Sequence, residues 1–258
     1  MRMLIALLFS CLSCHGAFFQ PWTDNGELLV TNHASINRIT NDITISYWCT
    51  KLAGSAGGRT IGKQGGPTPG QFDIKDSGTS KMDWASDNKA GGSTLWRSTA
   101  SFNNTNVLTF WAITFTYTDT NSIRVYSNGV SMAGSWINTP TNSAGTDGSF
   151  EMYIGSAVSG GRWLGYYSEV AIWNSVLASS QIDLLYRSRL KGIQKQINGS
   201  TLRAYYPLDS WPDGKQHAAA TTYPDRAAFE RFSARIRVDA AHNAYGMAEK
   251  VCSYQPNE

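Results

Sequence analysis

From Leu28 onward, apolar residues gather in short runs separated by turn-forming residues, at intervals of roughly 8 to 15 positions, the rhythm of an all-β sandwich. In DITISYWCTKL (42–52), Ile43, Ile45, Tyr47 and Cys49 alternate with their neighbours, which predicts a strand with one face in a core. VLTFWAITFTYT (107–118) is the most apolar stretch and predicts a central strand covered on both faces. SIRVYSNGVSMAG (122–134) reads as a hairpin, because Asn128-Gly129 is the dipeptide that most readily supplies the two positive-φ positions of a two-residue turn. SFEMYIGS (149–156) and WLGYYSEVAIWN (163–174) predict two further strands with AVSGG as a loop between them, and STLRAYYPLDS (200–210) predicts a later strand ended by Pro207. One helix is expected, SSQIDLLYRSRL (179–190): Ser179 or Ser180 can cap it, Asp183 and Arg187 suit the helix dipole, and Ile182, Leu185, Tyr186 and Leu190 form an apolar face. Residues 53–92, rich in Gly, Ser, Asp and Lys with Pro67 and Pro69, predict loops around short strands such as RTIGK and QFDIK. The tail from Trp211 to Glu258 mixes turn residues with one charged amphipathic stretch, RAAFERFSARIRV.

Composition agrees with this pattern: of 258 residues only 16% are charged, 12% are aromatic and 24 are glycine, which suits many short strands in one β domain. The net charge of +3, with no dense run of Lys or Arg, lacks the electrostatic footprint of a nucleic-acid or anionic-membrane binder. MRMLIALLFSCLSCHGAFF places one arginine before an apolar run from Met3 to Leu12 and then small residues, the layout of a signal peptide over residues 1–16. It is too short to span a bilayer, and the alternative is an N-terminal strand. Cys11 and Cys14 fall inside that segment. The remaining pair, Cys49 and Cys252, forms either a disulfide in an exported protein or two small buried thiols. The expected layout is therefore a signal at 1–16, a sandwich over 17–210 and a C-terminal extension over 211–258 packed on the sandwich.

Three segments in order, ITISYWC (43–49), WAITFTYTDTNSIRVYSNGVSMAG (111–134) and FEMYIGSAVSGGRWLGYYSEVAIWNSVLASSQIDLLY (150–186), resemble the concanavalin A-like lectin and glucanase superfamily in its laminin-G-like, pentraxin-like branch. LRAYYPLDSWPDGK (202–215) is similar to a segment that follows this domain in exported bacterial and phage-borne proteins. The resemblance implies an all-β, two-sheet antiparallel jelly-roll sandwich with one short helix. The signal-like segment points to a secreted or extracellular surface location, and the resemblance adds a phage virion surface as the alternative.

The glucanase branch carries Glu-x-Asp-x-x-Glu on a strand, because retaining hydrolysis needs two carboxyls about 5 Å apart on one face. Here Glu151 and Glu169 are single acids, which argues against an enzyme. The segment resembling the pentraxin calcium loop, YIGSAVSGG, has no carboxylate, so no cofactor is expected; DIKD (73–76) and DWASDN (83–88) are the acidic groups left to consider for Ca²⁺. His15, His33, His217 and His242 show no metal-ligand spacing. What remains is binding. Sugar recognition uses flat aromatic faces with amides and carboxylates beside them, and Asp83, Trp84, Asp87, Asn88, Trp96, Arg97, Trp136 and Asn138 form such a set. The competing reading makes the tryptophans caps of the sandwich, as Trp48, Trp111 and Trp173 are expected to be core. The sequence thus predicts a non-catalytic module for a glycan or protein surface, with a structural or adhesin role as the rival.

Overall fold

The computed structural model describes residues 27–30, 32, 34–37, 39, 41–51, 58–65, 68–77, 79–89, 92–101, 105–141, 150–155, 163, 165–188, 193–206 and 234–237. Strand β1 (Glu27–Val30) and one helical turn α1 (Ala34–Asn37) lead into β2 (Asp42–Lys51). A meander follows: β3 (Gly58–Gly65), β4 (Thr68–Asp76), β5 (Lys81–Lys89) and β6 (Gly92–Ser101). The chain continues through β7 (Leu108–Thr116), the hairpin β8 (Arg124–Ser127) and β9 (Val130–Met132), then β10 (Gly134–Asn138), β11 (Met152–Ile154) and β12 (Gly165–Trp173). Helix α2 (Ser179–Ser188), two 3-10 turns (Ile193–Lys195 and Gly199–Thr201), β13 (Leu202–Tyr206) and β14 (Ala234–Arg237) complete it.

These strands form two antiparallel sheets, one of eight strands in the order β10-β6-β5-β4-β3-β11-β1-β14 and one of six in the order β13-β12-β2-β7-β8-β9. The protein is an all-β sandwich of jelly-roll type. Period-two alternation explains the layers. In β2, Ile43, Ile45, Tyr47 and Cys49 face the larger sheet, and in β7 Trp111, Ile113 and Phe115 do the same, packing with Ile61, Phe72, Ile74, Met82 and Trp84. On the opposite face of the same strands, Trp48, Phe110, Ala112 and Trp173 meet Ile182 and Leu185 of α2, so the six-stranded sheet is covered on both sides. Tyr186 stacks on Trp48 with ring centroids 5.9 Å apart. The hairpin is as expected: Asn128 and Gly129 take φ of 50° and 79°, and the Asn128 carboxamide oxygen accepts the Phe110 N–H at 2.9 Å. A Cβ on Gly129 would sit 3.0 Å from the Tyr186 ring, so this turn lies directly under the helix.

Polar contacts bind the two sheets across the core. Tyr47 on β2 meets the Thr60 hydroxyl at 3.1 Å, the Tyr117 hydroxyl donates to the Gln71 carbonyl at 2.6 Å, and Lys51 on β2 pairs with Asp76 on β4 at 2.6 Å. Lys51 Nζ also lies 5.5 Å from the centre of the Trp163 ring.

Two expectations need revision. Among the described residues of 53–92, the expected strands RTIGK and QFDIK are present but belong to longer ones: β3, β4, β5 and the start of β6 make an extended meander, and these four strands form half of the larger sheet. A strand with one face on a core needs an apolar residue only at every second position, so the polar, glycine-containing composition was compatible with strands throughout. Helix α2 begins not with a serine side-chain cap but with the Gln181 carboxamide accepting the Ala178 N–H at 2.9 Å. In the tail, Ala234–Arg237 pairs with β1 as an edge strand, placing Ile236 opposite Leu28. Residues 1–16, the AVSGG loop and Cys252 lie outside the described residues. Cys49 is buried in the core.

Candidate ligand-binding surface

The alternation that buries Phe72, Ile74, Met82, Trp84 and Trp96 places their sequence neighbours on the outer face of the larger sheet. Register then aligns those neighbours in rows across the strands. One row runs Arg59, Lys75, Asp83, Arg97 and Ser135 across β3, β4, β5, β6 and β10. The adjacent row runs Tyr153, Gly62, Asp73, Ala85, Leu95 and Asn138 from β11 to β10. The first row is charged. The second has small residues, Gly62 and Ala85, on either side of Asp73, and a tyrosine at its end.

Two charge-assisted pairs hold the surface. Asp83 accepts from Arg97 at both carboxylate oxygens, at 2.7 and 2.8 Å, the forked geometry that fixes a guanidinium in plane. Asp73 accepts from Arg59 Nε at 2.8 Å across the diagonal between rows. The carboxylates lie deep, each 1% exposed, whereas the Arg97 side chain is 32% exposed. Burial raises the Asp73 pKa above its ordinary value and outweighs the opposing pull of Arg59, while the Asp83 bond raises that of Arg97. Asp73 Oδ1 has no hydrogen-bond partner among the described residues and sits 3.0 Å from where a Cβ on Gly62 would stand.

The predicted set separates along this alternation. Asp83, Arg97 and Asn138 share the outer face, and Asn138 is exposed. Trp84 does not: it is fully buried, stacked near Phe72 at 6.2 Å and edge-on to Phe115 at 5.8 Å, and offers no face to a sugar. Trp96 is buried opposite it, with 5% exposed. Trp136, half-buried, packs 5.9 Å from Phe115 and donates its Nε1 hydrogen to the Thr120 carbonyl at 2.8 Å. All three tryptophans therefore belong to the inner side, because each is one residue out of phase with the charged positions. Asp87 and Asn88 lie on β5, and their side chains are outside the description. Arg59, Lys75 and Tyr153 were not singled out from sequence as ligand contacts, and Asp73 was considered only for Ca²⁺, within DIKD. For Arg59, Asp73 and Lys75 the signal was present in R-T-I-G-K and Q-F-D-I-K, two runs expected as short strands, and for Tyr153 in SFEMYIGS.

Residues 23–183 match the model of the Concanavalin A-like lectin/glucanases superfamily. The chain belongs to this superfamily. Among solved structures, it is similar to a candidate carbohydrate-binding protein from Bacteroides ovatus at 18% identity and TM-score 0.54, over 82% of this chain and 60% of that one. It therefore spans less than two thirds of that protein's length. A heptameric pentraxin from Limulus polyphemus aligns at 11% identity and TM-score 0.43, over 78% of this chain and 95% of its own. No curated protein matches the chain significantly.

Within this superfamily member, the single acids considered for hydrolysis stand apart. Glu151 precedes β11 in the larger sheet. Glu169 lies in β12 of the smaller one, at a bulge where its φ is 54°, and accepts the Tyr205 hydroxyl at 2.6 Å. Among the described residues, no group of three or more His, Cys, Asp or Glu side chains converges as a metal site, and no helix is long and apolar enough to cross a membrane.

Proposed function

We propose that the chain is a non-catalytic carbohydrate-recognition module of an exported protein, and that it binds through the outer face of its eight-stranded sheet. The observation that carries this reading is the division of the predicted set. The tryptophans serve the core, whereas Asp83, Arg97 and Asn138 gather with Arg59 and Lys75 on a face that the sandwich core does not use. Such a face offers donors and acceptors in fixed positions on rigid strands, which is what hydroxyl recognition requires. Membership of a superfamily that includes lectins supports it. Catalysis is disfavoured because Asp73 and Asp83 are each held by an arginine beneath the surface, and neither is placed to reach a glycosidic oxygen.

The test is retention of the purified chain on immobilised glycans, with tryptophan placed at exposed positions. Ser135→Trp and Asn138→Trp add bulk to the outer face, whereas Leu184→Trp adds it to the exposed side of α2. Loss of retention with the first two and not the third supports the reading. No retention on any glycan, or a block by Leu184→Trp alone, overturns it.

A further inference from the structure

We infer that the ligand of this face is an acidic saccharide, recognised through its carboxylate or sulfate groups by the row Arg59, Lys75 and Arg97. The inference rests on the proposed carbohydrate reading and narrows it to a charge class. A formal count over the two rows gives three cations and two carboxylates, but depth decides what a ligand meets. Asp73 and Asp83 are almost wholly covered, while of the arginines that lie on them Arg97 is the more open, its side chain 32% exposed against 13% for Arg59. Each aspartate thus acts from below, orienting a guanidinium rather than presenting negative charge to solvent.

Arg97 has the geometry of an anion receptor. Asp83 engages Nε and one terminal nitrogen, so three of the five guanidinium N–H donors are not used by that pair. The pair fixes the plane of the group before any ligand arrives, which reduces the ordering cost of binding. Lys75 stands between the two arginines in register and makes no hydrogen bond or ion pair among the described residues. With neighbouring strands about 4.8 Å apart, the three cations span roughly 14 Å across the strand direction. Glu151, another acid of this sheet, lies beyond Tyr153, whose hydroxyl donates to it at 3.3 Å, and is not in the cationic row.

The experiment is titration of the full chain with three oligosaccharide series of similar length: uronate-bearing, sulfated and neutral. Binding to at least one acidic series, weakened by added salt, is expected. Lys75→Gln and Arg97→Gln should each weaken it about tenfold, with Arg97→Lys intermediate. Lys75→Gln leaves both ion pairs intact, so it separates loss of recognition from loss of fold. Comparison of the uronate and sulfate arms identifies which anion is bound. Binding to neutral glycans alone, or acidic-glycan affinity unchanged in both glutamine variants, would overturn the inference and leave the carbohydrate reading standing. Binding to no glycan would overturn both.

Discussion

Replacing Trp84 tests whether its ring belongs to the core or to a ligand. The side chain is fully buried between Phe72 and Phe115, and its indole Nε1 has no hydrogen-bond partner among the described residues. A buried tryptophan removes about 150–250 Å² from water, which at about 25 cal/mol per Å² is some 4–6 kcal/mol as an upper figure. Large-to-small core substitutions of aromatics cost about 3–5 kcal/mol once the cavity is included. Trp84→Ala should therefore lose about 4 kcal/mol. Trp84→Phe loses only part of that area and also removes a buried N–H without a partner, a group whose desolvation costs about 1–3 kcal/mol. It should fall within about 1.5 kcal/mol of the parent. Urea unfolding followed by intrinsic fluorescence and circular dichroism measures both, read by linear extrapolation. A loss below about 1 kcal/mol in Trp84→Ala, accompanied by loss of glycan retention, would refute the core assignment and restore Trp84 to the ligand surface.

Three other outcomes are expected. Lys51→Met should cost about 3–5 kcal/mol by leaving Asp76 charged and buried, and the double variant Lys51→Met/Asp76→Leu should regain most of it; a double-mutant cycle with no coupling would contradict this. Burial raises the Asp73 pKa above its ordinary 3.8, so its contribution is full below that value and is lost as pH rises through the folded pKa. Asp73→Asn, which cannot ionise, should melt higher than the parent at neutral pH, and the gap should close as pH falls toward 3.8; a gap independent of pH would contradict the shift. Gly165→Ala would drive a Cβ into the Thr50 carbonyl oxygen, so β12 must part from β2 and the melting temperature should fall; one equal to the parent's would contradict this.

Much of the sandwich was legible because its central strands carry their pairing in their composition. β2 and β7 are both buried on two faces; β7 reads as a nearly continuous apolar run, and β2 shows itself by the alternation of Ile43, Ile45, Tyr47 and Cys49 although Thr44 and Ser46 between them are buried too. Asn128-Gly129 specifies its turn through backbone conformation alone, and α2 is readable from its period. The meander from β3 to β6 was read only as short strands, RTIGK and QFDIK, among loops, because its outward residues carry charge, glycine or hydroxyls. Its inward residues are too widely spaced to stand out from a loop.

The candidate surface divides in the same way. Local sequence sufficed to bring Asp83, Trp84, Trp96 and Arg97 to notice, as aromatic and charged residues close together. It did not separate them, since proximity along the chain puts successive strand residues on opposite faces. By itself the sequence determined which residues could form strands, where one hairpin turns and that no paired-carboxylate run is present. Only the tertiary structure decided that Trp84 and Trp96 point inward. It also aligned Arg59, Lys75, Asp83 and Arg97, which come from four strands, in one row. Cross-strand register is a long-range property: it arises when the inward faces of all four strands find the same core, and no single strand contains it.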